Sequence, residues 1–199
     1  MNIGIIGSGT MGIGIAHATA NKEHKTLVFD SSPSSLKHGK EKLYILLDKL
    51  VEKGKYSLEQ SNNIKNKIIF TEDLNDIKNS ELVIEAIIEK LKIKKEVFTK
   101  IENLVSADCI IASNTSSLSI ASIASACKNS KRVIGMHFFN PANLMPLVEI
   151  IPAIQTSQDT INKTKSILLD LNKVIVLAKD TPGFIVNRVA RPFYGESLR

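Results

Sequence analysis

The chain has 199 residues, 43% of them hydrophobic, a mean hydropathy of +0.03 and a formal net charge of +6. These values describe one sizeable globular domain, or one domain with part of a second, and no apolar run approaches the roughly 18 residues of a membrane span. Aromatics are only 5% and do not interleave with basic runs, and Cys109, Cys127 and the four histidines show no ligand spacing, so no nucleic-acid partner, no membrane, no disulfide and no metal are expected. Strand-like residues start at Met1 with no basic, apolar leader, so a secretory signal is not expected and a cytoplasmic location follows.

Residues 2–6 (NIGII) read as a short buried strand, followed by glycines and then a helical pattern. Residues 26–30 (TLVFD) read as a second strand ending on an acid. Serine and proline at 31–33 suit a helix start. Residues 34–53 read as a long helix with Leu36, Leu43, Leu46, Leu47 and Leu50 on its apolar face, ended by Gly54. Further strands are expected at 67–70, 82–87, 109–113 and 132–139, with helical stretches between the later ones. Their near-continuous apolar character predicts a parallel sheet covered on both faces, hence a doubly wound α/β domain of the Rossmann type. Residues 146–151 and 174–178 read as two more strands, with a helix between them marked by Ile161, Ile167, Leu168 and Leu171. KDTPGFIVNR (179–188) then turns into a last helix.

Gly7, Gly9 and Gly12 form G-S-G-T-M-G directly after the first strand. Gly7 suits a tight turn, Gly9 a close approach of pyrophosphate, and Gly12 close packing of helix on sheet. Phosphates would rest on the free N–H groups of the first turn, where Thr10 and Met11 lie. Asp30 stands 18 residues past Gly12, placed to accept from ribose hydroxyls and to repel a 2′-phosphate, and no arginine follows it. The expected cofactor is therefore NAD rather than NADP, although Ser31 and Ser32 leave room for a phosphate.

His137 ends the sixth strand within H-F-F-N-P, at the edge that faces a ligand crevice in such sheets. Its imidazole can take a proton from an alcohol near neutrality. Alone, a histidine amid apolar residues is more often a satisfied core residue. Glu149, in an otherwise apolar strand twelve residues on, changes that reading, because a carboxylate there needs a partner. The alternative for Glu149 is a surface acid on an edge strand. Ser116 can donate to a substrate oxygen, or Ser116 or Ser117 can cap the next helix, as the neighbouring threonine and serines also can. The Asn187 amide can hold a substrate oxygen or satisfy backbone.

GSGTMGIGIA (7–16), EAIIEKLKIK (85–94), SNTSSLSI (113–120), HFFNPANLMPLVEII (137–151) and KDTPGFIVNR (179–188) together resemble the 3-hydroxyacyl-CoA dehydrogenases, over essentially the whole chain. The resemblance implies NAD-dependent interconversion of L-3-hydroxyacyl-CoA and 3-ketoacyl-CoA. It makes His137 the base and Glu149 its paired carboxylate. Ser116 and Asn187 would position the reacting oxygen, and Asn140 would lie beside the site. Asp30 would hold the ribose, and Glu89, Lys94 and Asn114 would line the nicotinamide-proximal half of the groove. Lys53 would lie near the CoA phosphates. Eight lysines against four acids between residues 37 and 67 fit an anionic acyl-CoA, and fit a solvated helix face as well. Ile13 departs from the small residue common in the family. The resemblance also implies a further helical domain carrying a homodimer contact. Residues 1–183 are then expected to be the NAD-binding and catalytic domain, and 184–199 the incomplete start of that helical domain. The alternatives are a nucleotide-binding fragment without independent activity, and an NAD-dependent dehydrogenase of a free hydroxy acid.

Overall fold

The computed structural model describes residues 1–197, with Arg191 as backbone only. In chain order it contains β1 (Asn2–Ile6), α1 (Thr10–Ala20), β2 (Lys25–Phe29), α2 (Pro33–Glu52), α3 (Leu58–Lys67) and β3 (Ile68–Thr71). Then come β4 (Leu82–Glu85), α4 (Leu91–Leu104), β5 (Ile110–Ser113), α5 (Ile120–Ala124), β6 (Val133–Phe138), β7 (Leu147–Pro152), α6 (Gln158–Asp170), β8 (Val174–Leu177) and α7 (Val186–Ser197). Short 3-10 turns lie at Leu74–Asn79 and Ser130–Arg132.

The strands form one sheet in the order β3-β2-β1-β4-β5-β6-β7-β8. The first six run parallel, β7 is antiparallel to β6, and β8 is parallel to β7. Alternation along the strands feeds two cores. Ile3, Ile5, Leu82 and Ile84 pack with Ile15, Leu43, Leu47 and Ile64 on one face. Ile6, Val83 and Ile111 pack with Phe98, Ile101 and Ile123 on the other. Strand order reverses between β1 and β4, so their carboxyl ends open a crevice, the usual ligand position in such sheets. The doubly wound expectation holds, with boundaries shifted by a residue or two.

Local signals explain the element ends. Ser32 caps α2 by accepting from the Ser35 N–H, with Pro33 in the first helical position, and Gly54 at φ +64° stops the chain beyond it. Helix α3 is an element the apolar periodicity did not announce. Its start is nonetheless written in S-L-E-Q, where Ser57 accepts from the Gln60 N–H. Ile13 is buried, and its Cδ1 lies 3.0 Å from where Gly39 of α2 would carry a Cβ. A glycine on the facing helix accommodates the larger residue.

Gly12 has the least room of the glycines for a side chain, because an added Cβ would stand 1.9 Å from the Gly7 carbonyl oxygen. Backbone cannot yield as a side-chain tip does, so Gly12→Ala is expected to destabilise by about 3 kcal/mol. Gly9, with nothing within 4 Å of that position, tolerates alanine without loss of stability. Thermal melts of the two variants check this, and equal melting temperatures would contradict it.

His17 of α1 is fully buried, with Nε2 3.2 Å from the Tyr56 hydroxyl. Burial pushes its pKa from 6.5 down to about 4. Between those values the unfolded chain takes up a proton that the folded chain refuses, so stability falls as pH drops from 6.5 towards 4. The slope is about 1.4 kcal/mol per pH unit at most. His17→Phe is expected to flatten that part of a stability-against-pH curve, and an unchanged slope in the variant would refute the assignment.

Candidate active site

The glycine loop leaves β1 at Gly7, whose φ of +105° and N–H bond to the Phe29 carbonyl (2.8 Å) set the turn. A Cβ there would lie 2.7 Å from the Ala86 carbonyl oxygen. Gly9 precedes α1, which has no side-chain cap and no acid in its first turn. The Thr10, Met11 and Gly12 N–H groups therefore open the helix towards the free space over Gly9, a cradle that fits a pyrophosphate. The Asp30 carboxylate is fixed beside the loop, accepting from Ser8 N (2.8 Å), Ser8 Oγ (2.7 Å) and Ser32 N (3.0 Å). Three of its roughly four lone-pair positions are occupied, which leaves Oδ1 able to accept from a ribose hydroxyl.

His137 and Glu149 are directly opposed in the antiparallel β6–β7 pair, which is why a twelve-residue spacing brings them together. His137 Nδ1 lies 2.7 Å from Glu149 Oε2. A carboxylate offers only acceptors, so Nδ1 carries the proton and Nε2 is the acceptor. Glu149 is no edge acid, because β8 lies outside β7 and the side chain is fully buried. Its Oε1 accepts from the Ile185 and Val186 N–H groups, both at 2.9 Å, so the same carboxylate holds the start of α7. Left-handed Gly183 (φ +75°) and Phe184 (φ +48°) turn those N–H groups inward. Phe184 is buried with its ring 5.8 Å from the His137 ring, and Phe139 covers the imidazole at 4.5 Å.

The dyad opens on a cleft of about 470 Å³ lined by Met11, Ala86, Glu89, Asn114, Ser116, His137 and Asn187, among others. Asn114 accepts the Phe138 N–H through Oδ1 (2.9 Å), tying β5 to β6. Asn187 donates to the Ser116 carbonyl at 3.2 Å. Neither Ser116 nor Ser117 caps α5. That cap is Ser119, which accepts from the Ser122 N–H, while Asp180 accepts the Ile120 and Ala121 N–H groups. The Ser116 N–H instead donates to Glu89 Oε1 (3.0 Å), and the Ser116 hydroxyl, at the cleft wall, reaches the same oxygen at 3.5 Å. Burial alone would raise the Glu89 pKa. The Thr115 hydroxyl, the Lys94 ammonium and the Ser116 N–H outweigh it and hold the carboxyl below its ordinary value.

Asn140 lines this cleft and a neighbouring one of about 370 Å³, bounded by Gly9, Thr10, His38, Lys42, Leu46 and the loop after β6. Lys173 props that loop from beneath, donating to the Ala142 (2.7 Å) and Met145 (2.8 Å) carbonyls, and burial lowers its pKa. Two expected site residues stand apart. Lys53 is exposed at the far end of α2 and lines neither cleft, where Lys42 and His38 of the same helix do. Lys94 is buried behind Glu89 rather than at the cleft surface. Sequence reasoning missed Glu85, Thr115 and Asp180. An acid and a lysine nine apart across a strand–loop–helix junction were the available signal for the first.

A dinucleotide cradle at the strand switch point, with a histidine–carboxylate pair opening on the same crevice, defines the class of a nucleotide-dependent oxidoreductase domain. Residues 2–181 match the family described as 3-hydroxyacyl-CoA dehydrogenase, NAD binding domain, and the chain belongs to this family. It is 40% identical over 202 residues to the 3-hydroxybutyryl-CoA dehydrogenase of Clostridioides difficile, covering all of this chain and 70% of that protein. It is 38% identical over 197 residues to the 3-hydroxyadipyl-CoA dehydrogenase of Escherichia coli, covering 99% of this chain but 42% of that protein. The crystal structure of Mycobacterium tuberculosis FadB2 superposes with a TM-score of 0.97 at 34% identity, over 99% of this chain and 70% of that one. The chain thus spans less than half the length of some relatives it matches.

Proposed function

We propose that this chain is the cofactor-binding and acid–base part of an oxidoreductase that interconverts L-3-hydroxyacyl-CoA and 3-ketoacyl-CoA with NAD. The observation that carries the reading is the buried His137–Glu149 pair, opening on the same cleft as Met11 of the glycine loop and the carboxyl ends of β4 and β5. NAD, when bound, supplies the two-electron acceptor or donor. The protein's own residues do the rest. His137 Nε2 removes the proton of the 3-hydroxyl during oxidation and returns it to the 3-oxygen during reduction. Glu149 holds the tautomer and stabilises the imidazolium that results. The Ser116 hydroxyl donates to the reacting oxygen, and Asn187 holds Ser116 in place. Asp30 takes the adenosine ribose, and Glu89, Asn114 and Asn140 border the reacting end.

Residues 1–183 form the catalytic domain in this reading, and 184–199 open a helical domain that makes a homodimer contact. Leu198 and Arg199 lie outside the described residues. The exposed Ile185, just before α7, and Val189, Phe193 and Tyr194 within it support that reading, as an apolar face suited to further protein. No helix among the described residues is long and apolar enough to cross a membrane. A cytoplasmic location belongs to the same proposal.

The test is NADH absorbance at 340 nm with acetoacetyl-CoA or free acetoacetate, on this chain and on the full-length protein. Consumption with the thioester alone is expected from the full-length protein. Consumption with free acetoacetate alone would transfer the assignment to a free hydroxy acid. No consumption with either would overturn the proposal.

A further inference from the structure

Behind the cleft wall lies a charged cluster that the proposed reaction does not use directly. Lys94, in the first turns of α4, is 1% exposed, and its Nζ lies 2.5 Å from Glu85 Oε1 and 3.3 Å from Glu89 Oε2. Glu85, the last residue of β4, is fully buried. Its Oε1 also accepts the Ile87 N–H (2.8 Å), and its Oε2 accepts the Ser113 hydroxyl (2.7 Å) at the end of β5. Ser113 Oγ in turn accepts the Thr115 N–H at 3.2 Å. Glu89 Oε1 accepts from Thr115 Oγ1 (2.5 Å) and from the Ser116 N–H (3.0 Å). One ammonium thus bridges two carboxylates. The outer one holds the backbone that presents Ser116, and the inner one reaches the same segment through Ser113.

We propose that Glu85 is a positioning residue for the cleft: it balances Lys94 from the core side, so that Lys94 holds Glu89, and Glu89 holds Ser116, in place. This rests on the reading that Ser116 serves the reacting oxygen. A buried charge is tolerated where it is paired and its remaining hydrogen bonds are made. With Glu85 present the lysine is shared between two carboxylates. Without its charge the lysine has Glu89 as its one carboxylate, beside the Ile87 carbonyl at 3.4 Å, and draws that carboxylate off Thr115 and the Ser116 N–H. Ser116 then loses its anchor although neither it nor Glu89 has changed. Glu85→Gln is nearly isosteric. Its amide can still accept from Ile87 N and donate to Ser113 Oγ, so the junction keeps its shape while the charge balance changes.

The experiment is a double-mutant cycle in the full-length protein, crossing Glu85→Gln with Ser116→Ala and reading kcat with acetoacetyl-CoA and NADH. Glu85→Gln alone is expected to lower kcat about tenfold, and to have little further effect once Ser116 is alanine. Hydrogen exchange over residues 115–118 is expected to quicken by about tenfold in Glu85→Gln, with β5 unchanged. Should Glu85→Gln fail to fold, the pair Glu85→Gln with Lys94→Met leaves no buried charge unpaired and enters the same cycle. It is expected to show the same non-additivity with Ser116→Ala. Multiplying effects in the cycle, or an unchanged kcat, would overturn the inference. Absence of turnover in the unaltered full-length protein would instead sink the proposed reaction, and exchange at 115–118 would then decide the inference alone: quickened, it supports the anchoring; unchanged, it refutes it.

Discussion

His137→Gln is expected to lower kcat by about 10²–10⁴-fold, the usual contribution of a positioned general base, while nucleotide affinity stays near its original value. Glutamine retains bulk between Phe139 and Phe184 and can still donate an N–H to Glu149, so the buried carboxylate keeps a partner. What disappears is the basic nitrogen facing the cleft. The glycine loop lies on a different strand end and makes no bond to the ring, so its nucleotide cradle stays intact. Turnover and NADH titration on the same preparation check this. A variant with full rate would remove the histidine from the mechanism. One that has also lost nucleotide binding would point to a collapsed cleft instead.

Glu149 separates two roles through two substitutions. In Glu149→Gln the side-chain oxygen can still accept from Ile185 and Val186, so the start of α7 stays held. The amide N–H₂ then faces His137 Nδ1 and favours the tautomer in which Nδ1 accepts and Nε2 carries the proton. Nε2 can then no longer act as base, and a loss of about 10²–10⁴-fold in kcat is expected with stability little changed. Glu149→Ala removes the acceptor of three buried or half-buried donors. Each orphaned donor costs about 1–3 kcal/mol, so this variant is expected to lose both activity and several degrees of melting temperature. Comparable melting temperatures for the two variants would contradict the shared role of the carboxylate. Equal rates for Glu149→Gln and the unaltered protein would contradict the tautomer argument.

The parts of the site that follow from local rules were legible in the sequence. The spacing of Gly7, Gly9 and Gly12 after an apolar strand marks the turn into α1, and the structure shows the clashes that side chains would make at Gly7 and Gly12 and the open space over Gly9. His137 and Glu149 were legible as a pair because an acid in an apolar strand demands a partner. Their opposition across β6 and β7 supplies one. The Glu85–Lys94–Glu89 cluster was not, because each residue alone looks like an ordinary charge in a lysine-rich segment. Only the junction of β4, α4 and β5 makes them neighbours. Asp180 escaped notice for the same reason, and Ser119 could not be singled out from its neighbours as the cap of α5. Four serines and a threonine in seven residues offer several caps, and Asp180 reaches α5 from some sixty residues away. Lys53 was placed by likeness across a helix pair, and the structure sets it beyond both clefts.

The central claim is that a nucleotide site and the His137–Glu149 pair serve one cleft and one substrate carbon. The most direct measurement reduces acetoacetyl-CoA with the full-length protein and NADH deuterated at the nicotinamide C4, on either face in turn, and locates the label by mass spectrometry and NMR. The account predicts 3-hydroxybutyryl-CoA carrying one deuterium at C3 from one of the two labelled faces, and almost no product when His137 is glutamine. Product formed without label from either face, or formed at an undiminished rate without the histidine, would contradict it.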